Sequence, residues 1–331
     1  MSTTAVKNCA FAALLLLSAG ARAQLQPAQL GLVVNDADPS SVAIAEYYRQ
    51  ARAIPPQQIA HVSLPGAPRR LDAAAFSAMK QQIDSQLAPT VRAVLFAWTA
   101  PYAVECNGLT AAYTLGFDAE QCRRPCAPGR PNPYFNGSQL PDGMRLSMLL
   151  PSTPESMARA LVDRGRVAGF SMPQAGAYFL QTSDKLRNTR ARFFPPSAGV
   201  PARRLQIHLL KQDVLEGVGD IMLYQTGAVQ VDKLETLHFL PGALADHLTS
   251  WGGDLLGSAQ MSSLRWLEAG ATASYGTVSE PCSHWQKFPR SDILLRHYLS
   301  GATAIEAYWR SVLWPAQGVF IGEPLARPYQ H

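Results

Sequence analysis

Between Asp246 and His284 the chain places Asp246, His247, Thr249, Ser250, a Gly252-Gly253 pair, Glu280, Cys282 and His284 where short apolar segments end. Turns at the edge of an α/β sheet have this composition, and such edges are where ligand sites are built. A serine nucleophile needs a base within hydrogen-bond reach and donors for the developing oxyanion, which glycine-rich turns can supply from backbone N–H groups. Residues three apart face one side of a helical turn, so His247 could serve Ser250 there. Capping and turn formation are the competing roles for the same residues. Cys282 and His284 flank Ser283; a thiolate beside an imidazole is a nucleophile, but side chains two apart diverge, so a loop would have to bring them together. The candidate catalytic residues are therefore His247, Ser250, Cys282 and His284, with Asp246, Thr249 and Glu280 as binding groups.

Two further clusters could bind. Asp36 and Asp38 follow the first apolar run, where Asp-x-Asp could hold a divalent cation or supply a phosphoryl nucleophile; the same residues form an Asx turn that leads into a helix cap. Arg187, Arg190 and Arg192 could take an acidic ligand or form a solvated face, and the second reading is preferred. No cofactor and no metal site is assigned.

The beginning of the chain bears on compartment. Lys7, the apolar run Ala10 to Leu17 and the small-x-small pattern Ala21-Arg22-Ala23 read as a secretory signal over residues 1–23, with the mature chain starting at Gln24. Lys7 and Arg22 lie in that segment with no acidic residue, so the formal charge of the remainder falls from +5 to +3. A mild excess without a long basic run argues against nucleic acid, and no membrane span is expected after cleavage. Cys106, Cys122, Cys126 and Cys282 remain; in an exported protein an even number favours disulfides, with three connectivities open. Zinc is the competing use, but the spacing lacks a paired C-x2-C.

The elements that must position these residues alternate. Leu30-Gly-Leu-Val-Val34, Ile59 to Leu64 and Val91 to Trp98 read as strands. Helices from Ser40 or Ser41 to about Arg52, and from about Ala73 to Leu87, separate them. Residues 99 to 147 break the rhythm as a Cys- and Pro-rich excursion. Strands follow at Ser147 to Leu150, Gly176 to Thr182, Leu205 to Leu210, Asp220 to Tyr224, near Phe239-Leu240, at Ala271 to Val278 and at Gly318 to Ile321. Helices are expected to about Arg166, over Ser262 to Glu268, Asp292 to Leu299 and Thr303 to Leu313; the basic stretch Asp184 to Arg192 could also be helical. The pattern predicts one α/β domain over 24–331 with a mainly parallel sheet between helices.

Two resemblances add to this. Residues 33–48 (Val-Val-Asn-Asp-Ala-Asp-Pro-Ser-Ser-Val-Ala-Ile-Ala-Glu-Tyr-Tyr), Phe239 to Gly253, Gly270 to Pro281 and the Gly322-Glu-Pro-Leu325 ending resemble an uncharacterised family of exported bacterial proteins. That implies a shared architecture and no particular activity. More distantly, the small-residue strand and the Gly322-Glu-Pro324 tail are similar to gingipain-type cysteine peptidases of caspase-like fold. Matched by segment, their His turn would fall at Tyr224-Gln-Thr-Gly227 and their Cys turn at Leu248 to Gly253. The resemblance then implies a missing dyad, because Gln225 is no general base and neither Thr249 nor Ser250 is a thiol; Gln225 becomes a binding candidate. The expectation is an exported flavodoxin-like or caspase-like α/β protein that binds a ligand or partner at the sheet edge. The alternative is an exported hydrolase using Ser250 or Cys282 with His247 or His284.

Overall fold

The computed structural model describes residues 24–329, so the signal-type segment lies outside the described residues. Leu30-Gly-Leu-Val-Val is apolar without alternation, the pattern of a strand covered on both faces. It forms β1 (Leu30–Asn35), buried throughout. Asp38 caps α1 (Pro39–Arg52) by accepting the Ser40 N–H at 3.0 Å, with Pro39 in the first turn, where its missing donor is not needed. β2 (Ile59–Val62) pairs in parallel with β1. After the short β3 (Arg70–Leu71), Asp72 caps α2 (Ala73–Gln86) through the Ala75 N–H at 2.7 Å, and β4 (Ala93–Phe96) pairs along the other side of β1.

The excursion is more structured than its composition suggests. β5 (Ala103–Val104) and β6 (Asn107–Gly108) join β3 in a small second sheet, and α3 (Leu109–Leu115) and α4 (Ala119–Arg123) follow. The Cys106–Cys122 disulfide closes this segment. The main chain of strands resumes with β7 (Leu146–Leu149), α5 (Glu155–Val167) and β8 (Ala175–Leu180). Asp184 to Arg192 is not a helix: it is a series of turns ending in a short 3-10 turn from Ala191, because Arg190 is drawn into the interior instead of lying on a solvated face.

β9 (Ala198–Val200), β10 (Leu205–Leu210), β11 (Ile221–Gly227) and β12 (Phe239–Leu248) come next. β12 continues past Pro241-Gly242, which reads as a turn in sequence. The pairing partners jump from Ile221–Phe239 to Leu223–Leu244, so an irregularity absorbs the Pro-Gly step, with Gly242 at φ 90°. α6 (Leu264–Glu268), β13 (Ala273–Thr277), α7 (Ser291–Leu299), α8 (Ala304–Ser311) and β14 (Gly318–Gly322) complete the chain, and α3 lies against β7 and β14.

The result is an α/β architecture whose mostly parallel 11-stranded sheet has the order β2-β1-β4-β7-β14-β13-β12-β11-β8-β10-β9. Each half follows the same path. The chain steps outward, from β1 to β2 and from β8, by way of the antiparallel edge strand β9, to β10, then returns past its starting strand toward the centre. β14 is parallel to β7 and antiparallel to β13, so the two halves run in opposite directions. The carboxyl ends of β1, β4 and β7 therefore emerge at one sheet edge and those of β11, β12 and β13 at the other.

Behind the sheet, Glu323 holds the C-terminal segment to α1. Its carboxylate accepts from Tyr48 Oη at 2.7 Å and from Arg52 Nε and Nη2 at 3.0 and 2.6 Å, with no exposure of its own. Taking away one partner of such a pair strands the other. Glu323→Leu is expected to lower the urea-unfolding free energy by about 3 kcal/mol. Glu46→Gln, which breaks the exposed Arg49 pair on α1, should leave the midpoint unchanged. Equal effects of the two substitutions would refute the clamp.

Candidate functional site

His247 lies in β12, not on a helical turn. Neighbouring strand residues point to opposite faces, so Asp246 and His247 are committed to different surroundings, and residues three apart do not share a side. On one face the Asp246 carboxylate receives Arg190 Nη1, Gln225 Nε2 at 2.8 Å and Tyr308 Oη at 3.4 Å. Arg190 also donates to the Thr226, Asp246 and Pro289 carbonyls at 2.8, 3.1 and 3.3 Å. Burial pushes the Asp246 carboxyl up from its ordinary value, and the Arg190 charge and the Gln225, Arg190 and Tyr308 hydrogen bonds oppose that shift. Gln225 thus serves as a fixed donor inside the protein.

On the other face His247 uses both ring nitrogens. Trp266 Nε1 donates to Nδ1 at 2.9 Å, which leaves Nε2 to carry the proton and donate to the Met261 carbonyl at 3.1 Å. The imidazole is fully buried, and burial, aided by the Arg190 charge, holds its pKa down to about 3. A general base needs a vacant acceptor nitrogen. Trp266 occupies the one His247 has.

Ser250 follows the strand, and its carbonyl accepts the Glu280 N–H at 2.9 Å and Thr277 Oγ1 at 3.1 Å. Among the described residues, neither His247 nor His284 hydrogen-bonds its hydroxyl. The Gly252-Gly253 pair is explained by packing. Gly253 N–H donates to the Thr277 carbonyl at 2.9 Å, and a Cβ on Gly253 would stand 2.6 Å from the Gly276 carbonyl oxygen. Glycine is needed at 253 for the turn to lie on β13, and of the two N–H groups expected for an oxyanion that of Gly253 is already used.

Thr249 Oγ1 donates to Gln260 Oε1 at 2.7 Å and accepts from Arg187 Nε at 3.2 Å; Arg187 in turn pairs with Asp184 at 2.8 Å. Glu280 is buried and organises its own loop, accepting the Cys282 and Ser283 N–H groups at 3.1 and 2.6 Å beside the Lys287 ammonium at 3.6 Å. Cys282 is bonded to Cys126, so its sulfur is no thiol and cannot be a nucleophile. His284 Nε2 donates to the Cys126 carbonyl at 3.1 Å. Arg192 stacks over the Phe193 and Trp285 rings. Asp36 and Asp38 sit at the opposite sheet edge, where Asp38 is the α1 cap and Asp36 meets His61 Nδ1 at 2.8 Å. Among the described residues no group of three or more His, Cys, Asp or Glu side chains is arranged to hold a metal.

Arg190, Lys287, Trp266 and Gln260 complete these networks; the last three did not stand out in sequence, and Arg190 did so only as a member of a basic cluster read as a solvated face, whereas it is buried. Arg190 is 56 positions from Asp246, and no local spacing signals such a pair. What the edge leaves open is its outer surface. Trp251 and Leu256 are 44% and 42% exposed. Beside them a depression of about 340 Å³ runs between residues 230–235 and 257–265, lined among others by Asp232, Glu235, Gln260 and Arg265. Gln260 connects the two features, since its side chain accepts the Trp251 N–H at 2.9 Å.

Comparison of the chain with family models, curated proteins and solved structures finds no match.

The state of His247 sets a pH dependence. Its folded pKa of about 3 lies below the ordinary 6.5, so between those values the unfolded chain binds the extra proton. The stability due to the neutral ring is complete above pH 6.5 and is lost as the pH falls toward 3. Urea unfolding of the protein should lose about 2 kcal/mol more between pH 7 and pH 5 than that of His247→Gln. Parallel curves for the two proteins would mean that the ring titrates normally.

Proposed function

We propose that this protein is an exported binding protein, not a hydrolase, and that its ligand or partner docks on the edge formed by the turns after β11 and β12. One observation carries the reading: the groups a hydrolase would need are spent on internal bonds. Trp266 holds the acceptor nitrogen of His247, and Cys126 holds the sulfur of Cys282. A hydrolase would have to run on Ser250 without an imidazole. The same turns meanwhile offer Trp251 and Leu256 to solvent beside a polar depression.

The chemistry of that surface favours an amphipathic ligand, such as a peptide with one large apolar side chain against Trp251 and Leu256 and polar groups facing Asp232, Glu235 and Gln260. Exposed aromatic side chains ringed by polar groups are how binding surfaces concentrate their energy. Two supports bear on compartment: the apolar segment with its small-x-small ending, and the two disulfides, Cys106–Cys122 and Cys126–Cys282, which persist in oxidising surroundings. Among the described residues no helix is long and apolar enough to cross a membrane.

A panel of fluorogenic peptides and esters should be turned over no faster by the protein than by its Ser250→Ala variant, and no faster than in buffer. Peptides selected against the protein from a displayed random library should bind Trp251→Ala about tenfold more weakly or worse. They should bind Phe170→Ala normally, since that exposed aromatic lies after α5, away from these turns. Turnover that Ser250→Ala abolishes would overturn the proposal, as would selected peptides indifferent to Trp251.

A further inference from the structure

Along the sheet edge shared by the amino ends of β4 and β7, a second hollow of about 280 Å³ opens between α2 and α3. Its charge is unbalanced. Lys80, Arg92 and Arg145 line it against a single carboxylate, Asp84, which leaves two positive charges uncompensated within the cleft. Two of the cations are fixed in place. Arg145 donates to Asp84 at 3.0 Å and to the Val91 and Ala88 carbonyls at 3.2 and 3.1 Å, so its charge cannot swing into solvent. Lys80 donates to Asp84 at 2.5 Å with its ammonium 4.6 Å from the centre of the Tyr113 ring.

Arg92 supplies the unused donors. Its backbone is held on both sides, by N–H donation to Gln29 and by acceptance from Leu146, at 2.8 and 3.0 Å. Of its guanidinium only Nη2 is engaged, with the Leu140 carbonyl at 3.0 Å, and no carboxylate pairs with it among the described residues. An arginine fork anchored at one nitrogen and free at the others, beside a partly committed ammonium, matches the oxygens of a tetrahedral anion. Tyr113, Val91, Met144 and Pro89 also line it, with Thr114 and Gly143, so an organic group attached to the anion would meet a partly apolar surface.

We propose that this cleft binds a dianionic oxyanion, either free phosphate or the phosphate of a small monoester, through Arg92 and Lys80, with Arg145 contributing a fixed charge. Two excess charges favour a dianion over a monoanion, because the attraction scales with the charge product. The surface is independent of the edge proposed above for a peptide, and its test does not involve Trp251.

Calorimetric titration of the full protein at constant ionic strength, with inorganic phosphate, phenyl phosphate and acetate as probes, tests this. Millimolar or tighter binding of phosphate is expected, with acetate at least tenfold weaker. Arg92→Gln and Lys80→Gln should each weaken phosphate binding about tenfold while their thermal midpoints without phosphate match the parent. Arg92→Lys should recover only part of the loss, since it restores the charge without the fork. Tighter binding of phenyl phosphate than of phosphate assigns the site to a monoester, and equal binding assigns it to free phosphate. The proposal fails if neither phosphate binds at millimolar concentration, if acetate binds as well, or if binding is unchanged in both glutamine variants.

Discussion

The Arg190–Asp246 pair is the constraint from which the carboxyl edge of β11 and β12 takes its form. Both side chains are about 1% exposed. Moving two ions out of water costs several kcal/mol each, and their attraction offsets this only when the remaining donors and acceptors are also bonded. Gln225, Tyr308 and three carbonyls from β11, β12 and the 279–290 segment meet most of that demand, with Arg190 Nε and Gln225 Oε1 buried and unpartnered. Residues 184–193 are thereby drawn across the strand ends, and a basic run that would otherwise be solvated becomes part of the interior. The same positive charge adds to burial in keeping His247 neutral on the opposite face. One pair thus fixes the conformation of a loop and the protonation of a histidine.

A second constraint is the seam. Five register pairs between β13 and β14 join two half-sheets that run in opposite directions. At that seam the chain after β12 must fold back over β13, and it can approach only because Gly253 and Gly276 present no side chain to each other. The 279–284 loop closes over the same end, with Glu280 gathering its backbone N–H groups, Lys287 compensating the charge and Cys126 bonded to Cys282. A fold whose two halves meet head to tail needs this much local fixing, because no parallel ladder continues across the join.

Much of the architecture could be read from sequence where a local signal sufficed. Continuous apolar runs gave away β1, β4 and β8, and Asp72 announced α2 because capping depends on residues two or three apart. At α1 the expected cap was Ser40 or Ser41, whereas Asp38 caps a helix that already starts at Pro39, which the first turn of a helix accommodates. Features set by distant residues could not be read in this way. Pro241-Gly242 reads as a turn and is a bulge within β12, because the neighbouring strand decides whether such a step interrupts pairing. The closing strand was expected last in the chain, and it is; its place at the centre of the sheet, antiparallel to β13, follows from packing that no periodicity encodes. The Cys pairing was one of three, and Glu280 looked like a ligand group because Lys287 and the two amides that satisfy it are visible only once the loop is folded.

Polar residues gathered at strand ends admit two explanations, and burial distinguishes them. A site leaves at least one donor or acceptor aimed at a space that a ligand can enter. At Asp246, His247, Thr249 and Glu280 the hydrogen-bonding groups named above instead meet protein partners, in positions with at most 1% exposure. Buried polar groups without partners are costly, so a chain that must put Asp, His and Glu at such depth has to surround them with donors and acceptors. The residue types that suggest catalysis are the same types that such internal networks require, and their density near the seam follows from the number of crossings fixed there. Unused capacity lies farther out, on Trp251 and Leu256 at one group of turns and on the Arg92 guanidinium at another, where the scaffold has fixed the backbone and left the side chains to solvent.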